Sequence, residues 1–273
     1  MAGETTLCKR KPLVMGIVNV TPDSFFDGGK YYSPEAAIRH GLGMVEEGAD
    51  IIDIGGESTK PFSKPVSIDE ELQRIIPVIE GIRAQSNIPI SIDTYRSKVA
   101  EEACKRGAHI VNDISGLTFD EKMVNVVCEF GTSLIIMHIK GRPDNMQENP
   151  FYDDVVSEIK AYFKERMDFA TNHGVKEENI ILDPGIGFGK RVEDNLKIIK
   201  HISDFKEFGR PILIGTSMKS FIGKITDSPL HERTEGTIAS IAICVWNGAD
   251  IVRVHDVRGA KKAIQLVDAV MQS

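Results

Sequence analysis

The chain has 273 residues, enough for one large core and short for two. Hydrophobic residues make up 41% and charged residues 27%, with a net charge of −7 and a pI of about 5.6. That balance excludes a generic nucleic-acid surface, though it leaves room for a local anion site.

A lead over residues 1–12 precedes the first strand-like run, 13–20, which contains Asn19. The connection that follows, NVTPDSFFDGGKYYS, is long and rich in Gly, Pro and Ser. A helix over 34–47 then opens on Ser33 as N-cap with Pro34 behind it. The run 51–54 carries Asp53 and leads into a second long connection, GGESTKPFSKPVS, and a helix over 69–84. The run 90–92 meets Asp93, with a helix over 97–106. The run 110–111 meets Asn112, with a helix over 121–130. The run 133–137 meets His138 and precedes the longest helix, 153–172. The run 180–182 meets Asp183 before a helix over 192–201. The run 211–214 meets Gly215, with a helix over 234–246. The last run, 251–254, carries Arg253 and stops before His255; a helix over 258–270 follows.

Several runs are apolar throughout rather than alternating, as parallel strands covered on both faces are. Gly48-Ala49-Asp50, Gly107-Ala108-His109 and Gly248-Ala249-Asp250 each end a helix and feed a strand, an internal echo of repeated βα units. Eight such units predict an α/β fold, a single (β/α)8 TIM barrel over 13–273 with long first and second βα loops; such barrels take ~250 residues. An open doubly wound sheet is the alternative. Loops longer than ~12 residues are often lids or binding loops, so these two are expected to move.

Apolar runs fall well short of the ~18–20 residues of a membrane span. MAGETTLCKRKP also lacks the ~7–15-residue apolar core of a secretion signal, so a cytoplasmic protein is expected. Cys8, Cys104, Cys128 and Cys244 form no CxxC pair, which points to reduced thiols. Neither HExxH nor GxSxG occurs. Gly187-Phe188-Gly189-Lys190 is not a P-loop, because Pro184 and Arg191 stand where Gly and Ser or Thr are required.

A closed barrel would gather the run ends at one rim. Asp93, Asn112 and Asp183 could then match a heterocycle edge rich in N–H groups, since a carboxylate accepts two parallel hydrogen bonds. Asn19, Arg253 and His255 would adjoin, because the first and eighth strands are neighbours; that trio suits an anion with a divalent cation. Lys219 follows the seventh strand, where many barrels bind phosphate.

NVTPDSFFDGG, DIGGEST, SIDT, VNDISG, DPGIGFGK, KSFIG and RVHDV occur in this order over nearly the whole chain. Together they resemble the dihydropteroate synthase family. The resemblance implies condensation of 6-hydroxymethyl-7,8-dihydropterin pyrophosphate with 4-aminobenzoate in folate biosynthesis, with Mg2+ and a homodimer. It implies that Asp93, Asn112, Asp183 and Lys219 bind the pterin, walled by Ile114, Met137, Phe188 and Gly215. Asn19, Arg253 and His255 would bind pyrophosphate, with Asn19 near the Mg2+. Thr59, Pro61, Phe188 and Ser220 would line the aminobenzoate path. An SN1-like reaction is expected, in which Asp23 and Asp27 on the first loop stabilise the pterin cation and Lys219 and Arg253 also act in catalysis.

The family usually reads Ser-Arg-Lys-Ser after the seventh strand and Ser-Thr-Arg-Pro-Gly in the second loop. Met218, Lys60 and Phe62 depart from this and bear on the second substrate and on sulfonamides. A methyltetrahydrofolate-binding corrinoid methyltransferase domain is the rival reading, and a non-catalytic pterin- or phosphate-binding barrel is another.

Overall fold

The computed structural model describes residues 11–21 and 33–273; Asp23 and Asp27 lie outside the described residues. Its strands and helices alternate as β1 (Leu13–Asn19), α1 (Pro34–Glu46), β2 (Ile51–Gly55), α2 (Ile68–Arg83), β3 (Ile90–Asp93), α3 (Ser97–Lys105), β4 (Ile110–Asp113) and α4 (Met123–Phe130). The second half continues with β5 (Ser133–Met137), α5 (Val155–Asn172), β6 (Ile180–Asp183), α6 (Val192–Lys200), β7 (Leu213–Ile214), α7 (Ser220–Thr226), α8 (Thr234–Trp246), β8 (Ile251–Val254) and α9 (Val257–Gln272). All strand pairs are parallel, in the order β6-β5-β4-β3-β2-β1-β8-β7. A single parallel bridge from Leu182 to Ile212 joins the two ends, so the sheet closes into the expected barrel.

Two details differ from the sequence reading. Strand β7 is two residues rather than the four of 211–214. Pro211 has no N–H to give the ladder, and the Ile212 N–H goes to Asp250 Oδ2 at 2.6 Å. Helix α7 is also additional to the eight expected; its seven residues are too few to show a helical period.

The repeated Gly-Ala-Asp has a physical role at the closed end of the barrel. Gly48 and Gly248 sit at φ 97° and 105°, a conformation that favours glycine, and turn the chain from helix to strand. The aspartate that follows then receives an amide at the start of a neighbouring strand. Asp50 Oδ2 accepts from Val14 N at 2.7 Å, as Asp250 accepts from Ile212 N. Each carboxylate also pairs with a lysine, Lys261 and Lys206 respectively.

The core has two layers and an upper cluster. Val, Ile and Phe side chains fill the space between strands and helices. Inside the barrel, Met15, Ile51, Ile110, Ile135, Ile181, Leu213 and Ile251 form a floor. Ile114, Met137, Ile139, Met146 and Phe188 cluster at the open end.

Candidate active site

Side chains alternate along a strand, so the position two residues beyond each floor residue also faces the barrel axis. There the sequence turns polar: Asp53 follows Ile51, Asn112 follows Ile110, Asp183 follows Ile181 and Arg253 follows Ile251. The register completes the arrangement, pairing Gly55 with Asp93, Asp93 with Asn112 and Met137 with Asp183. The rim residues are thus brought to one level by the ladder.

Arg253 is the centre of this layer. Its Nε donates to Asp53 Oδ2 at 2.6 Å and its Nη2 to Asp93 Oδ2 at 2.6 Å. Asn112 Nδ2 donates to the same Asp53 oxygen at 3.2 Å. The second oxygens of the two aspartates and the Asn112 carbonyl oxygen are buried and find no donor among the described residues. Three acceptors from three strands therefore converge without partners, an unusual condition for buried polar atoms. Burial drives the Asp93 carboxyl up to about 7, against the pull of Arg253. Asp183 rises to about 6, again through burial, although its Oδ1 takes the Gly185 N–H at 2.7 Å.

A cavity of about 320 Å³ opens above this layer, and it is bordered by Asn19, Thr59, Pro61, Asp93, Phe188, Gly215, Lys219, Ser220, Arg253 and His255. These are the positions that the sequence assigned to three different ligand groups, and the fold places them around one space. Asn112, Ile114, Met137 and Asp183 do not border it; they lie buried behind it. Lys219 Nζ sits 4.2 Å from the centre of the Phe188 ring, a cation–π contact. Burial and the nearby Arg253 push its ammonium down to about 8.

His255 is pushed down to about 3 by burial, Arg253 and Lys219, so its imidazole is neutral. Its backbone N–H donates to Ser217 Oγ at 3.3 Å, and that hydroxyl lies 2.9 Å from Nδ1. The Ser217 hydroxyl thus holds both the backbone and the ring of His255. His255 is therefore a neutral imidazole rather than a cation.

Sequence reasoning missed the device that anchors the second loop. Glu57, at the start of that loop, accepts from Tyr95 Oη at 2.6 Å, Arg96 Nη2 at 2.7 Å and Val66 N at 2.9 Å. Arg96 also pairs with Glu71 and donates to Val66 O at 2.9 Å. Both ends of the loop are thereby tied to the start of α3. Phe62, where the family usually has glycine, adopts φ 65° and turns its ring to solvent at 65% exposure. It therefore does not crowd the cavity, whereas Lys60 borders it. Met218 also adopts a left-handed φ of 60° and borders the cavity. Arg233, on the same border, donates through Nη1 to the Met218 carbonyl at 3.2 Å.

The pterin binding enzyme family model matches residues 15–255. The chain belongs to this family, among the dihydropteroate synthases. It is 47% identical over 263 residues to the dihydropteroate synthase of Bacillus subtilis, covering 96% of this chain and 90% of that one. The Yersinia pestis dihydropteroate synthase in a sulfonamide complex superposes with a TM-score of 0.93 at 38% identity, over 96% of this chain and 95% of that one. The Xanthomonas albilineans enzyme, in complex with 7,8-dihydropteroate, gives a TM-score of 0.87 at 38% identity, over 97% and 95%. Dihydropteroate synthases thus share both the sequence and the barrel of this chain.

Among the described residues no group of three or more His, Cys, Asp or Glu is arranged to hold a metal. Asn19 contributes one hard oxygen at the rim, and the described carboxylates nearest to Arg253 are engaged by it. This fits Mg2+ only in its usual manner with phosphates, held by one or two protein ligands and chiefly by the substrate.

Proposed function

We propose that the chain condenses 6-hydroxymethyl-7,8-dihydropterin pyrophosphate with 4-aminobenzoate, giving 7,8-dihydropteroate and pyrophosphate in folate biosynthesis. The observation that carries this reading is the set of buried, donorless oxygens on Asp53, Asp93 and Asn112 beside Asp183. A reduced pterin presents several N–H donors along one edge, which suits such a set. Asp183 would accept N3–H and the 2-amino group, and Lys219 would donate to the carbonyl or N5. Phe188 supplies the apolar wall at the cavity, backed by Ile114 and Met137 in the same cluster.

Asn19, Arg253 and the neutral imidazole of His255 would hold the pyrophosphate. Mg2+, held by pyrophosphate and Asn19, would supply neutralisation of the leaving charge. In the SN1-like reading the bond from the exocyclic CH2 to pyrophosphate oxygen breaks first, and its electron pair leaves with the pyrophosphate. The pterin delocalises the resulting cation. The arylamine nitrogen then attacks and loses a proton. No protein nucleophile is needed; positioning and charge stabilisation suffice. Positional isotope exchange in the pyrophosphate, followed without amine, tests the cation. Scrambling of bridging oxygen is expected, and a mobile bound pyrophosphate that does not scramble contradicts it.

The donor edge requires ionised Asp183. Its carboxyl titrates at about 6, so pterin affinity is high above that pH and falls as pH drops through it. Below pH 6 the dissociation constant is expected to rise roughly tenfold per unit. Calorimetry with 6-hydroxymethylpterin between pH 5 and 8 measures this; a flat profile contradicts it.

A homodimer is also supported. Helix α8 is apolar around most of its circumference, as a covered helix is, yet Ile243 and Trp246 are more than half exposed. Leu266 and Val270, on the adjoining α9, are exposed as well. Such a patch on the outside of a barrel suits a second copy of the chain. Trp246→Glu is expected to give monomers by sedimentation velocity at micromolar concentration; a wild-type chain that is itself monomeric there overturns the assignment. No helix among the described residues is long and apolar enough to cross a membrane.

The anion trio also argues against corrinoid methyl transfer, which involves no pyrophosphate.

A further inference from the structure

Lys190 is buried and does not border the cavity, and the reaction above gives it no role. Its ammonium lies 3.0 Å from His138 Nδ1, 3.2 Å from the His138 carbonyl and 3.0 Å from the Phe188 carbonyl. Three donors thus meet three acceptors. None of the carboxylates among the described residues forms an ion pair with it. Burial pushes this ammonium down to about 7 against the more distant pull of Asp183 and Asp194, while its hydrogen bonds go to neutral acceptors; so costly a placement calls for a reason.

The reason lies in what those acceptors belong to. Residues 184–189 form the loop after β6, and this loop lies flat on the residues that follow β5. Gly185 presses on the His138 carbonyl and Gly189 on the Lys140 carbonyl, so closely that a Cβ at either glycine would overlap the oxygen. The Gly187 N–H is held by Asn195 Oδ1 at 2.7 Å, and the Gly187 carbonyl by Gln147 Nε2 at 2.7 Å. The Gly189 carbonyl takes the Tyr152 hydroxyl at 2.7 Å. The Phe188 carbonyl remains, and among the described residues Lys190 alone binds it. The partner imidazole is fixed in turn: His138 meets Tyr162 edge to face, with centroids 4.9 Å apart and planes at 86°. The Tyr162 hydroxyl is held by the carbonyls of Ser115 and Met137 at 2.7 and 3.1 Å. Lys190 therefore ties the loop that carries Phe188 to the well-held residue that follows β5, and Phe188 is among the residues the loop offers to the cavity.

We propose that Lys190 is a positioning residue that fixes the Phe188 ring for the second substrate, setting the KM for the arylamine rather than the affinity for the pterin. This rests on the reading that the cavity takes 4-aminobenzoate beside Phe188. Lys190 acts through the Phe188 carbonyl, so its effect must disappear when the ring is gone.

A double-mutant cycle on the full chain tests this, using Lys190→Met, Phe188→Ala and the pair, with the KM of each substrate measured separately. Measured at pH 8, where Asp183 stays ionised even without the pull of Lys190, Lys190→Met is expected to raise the aminobenzoate KM by about tenfold and to leave the KM for the pterin pyrophosphate within about threefold. The pair should be no worse than Phe188→Ala alone, because the two act as a unit. Effects that multiply overturn the proposal, as does an equal rise in both KM values or an unchanged aminobenzoate KM. Lys190→Gln keeps a donor for the Phe188 carbonyl and is expected to recover part of the loss; it also serves if the methionine variant fails to fold, and must then show the same selective rise in smaller measure. The crystal structure of the best-folding variant gives a readout independent of turnover: the Phe188 ring should shift by about an ångström or more while Asp183 stays, and an unmoved ring overturns the proposal. If the wild-type chain itself makes no dihydropteroate, the functional reading falls, and the crystal structure still decides whether Lys190 places Phe188.

Discussion

Asp183→Asn is expected to lower kcat/KM for the pterin pyrophosphate by about 10³-fold or more while leaving the fold intact. The carboxylate is buried, and Gly185 N–H holds one oxygen, so the orientation of the group is fixed by the turn after β6. An amide in the same place turns one acceptor into a donor. That donor would face a ring N–H or amino group, so a hydrogen bond is replaced by a repulsion between two desolvated donors. Sites built to hydrogen-bond a substrate group discriminate by about 10⁴–10⁵ when the pairing is broken, and one such bond to a charged group is worth roughly 1.5–3 kcal/mol. Calorimetric titration with pterin and steady-state kinetics check both sides of the expectation. Asparagine with near wild-type affinity would mean that the ring edge does not rest on Asp183.

Arg253 has two jobs, and its replacement should reveal both. Arg253→Met removes the cation that would hold pyrophosphate. It also leaves Asp53 and Asp93, both buried, facing each other without the guanidinium that joins them. Breaking a buried ion pair by deleting one partner destabilises by about 3–5 kcal/mol. In a chain of this size that corresponds to a fall in Tm on the order of 10 °C. Activity should fall by roughly 10²–10³-fold, the usual effect of removing one charge-stabilising donor. The double variant Arg253→Met/Asp53→Asn separates the two: removing one of the stranded charges should restore much of the Tm and none of the activity. Differential scanning calorimetry beside a turnover assay reads both. If Arg253→Met melts with the wild type, the aspartates are not held by Arg253 in solution.

The ion triad bears on how the site was read from sequence. Asp93, Arg253 and Asn112 were legible as rim residues because each stands at the end of an apolar run, and strand period places run ends together once the barrel closes. What the sequence does not show is that Arg253 spends its donors on Asp53 and Asp93. That pairing spans 200 residues to Asp53 and 160 to Asp93, and depends on the closed sheet setting β8 one strand away from β2, across β1. The run 51–54 shows Asp53 without its partners; the structure gives it Arg253 and Asn112, and it orients both.

Strand count and order were legible from the rhythm of apolar runs. Strand ends were less so, because β3, β4 and β6 run on into Asp93, Asp113 and Asp183, polar residues that the ladder accepts as readily as apolar ones. His138 ended a run and therefore looked like a rim residue. It is buried instead against Tyr162 and Lys190. The Glu57–Arg96 tie, 39 residues apart, left no local signal. Nor did Phe62 and Met218: both stand at left-handed φ, which side chains with a Cβ rarely adopt.

The most direct measurement is pyrophosphate release by the purified chain with Mg2+ and the dihydropterin pyrophosphate, titrated with 4-aminobenzoate. Release that rises with the amine, matches dihydropteroate formed one for one and is suppressed by a sulfonamide is the predicted result. Release that is indifferent to the amine, or absent with both substrates present, would contradict the account.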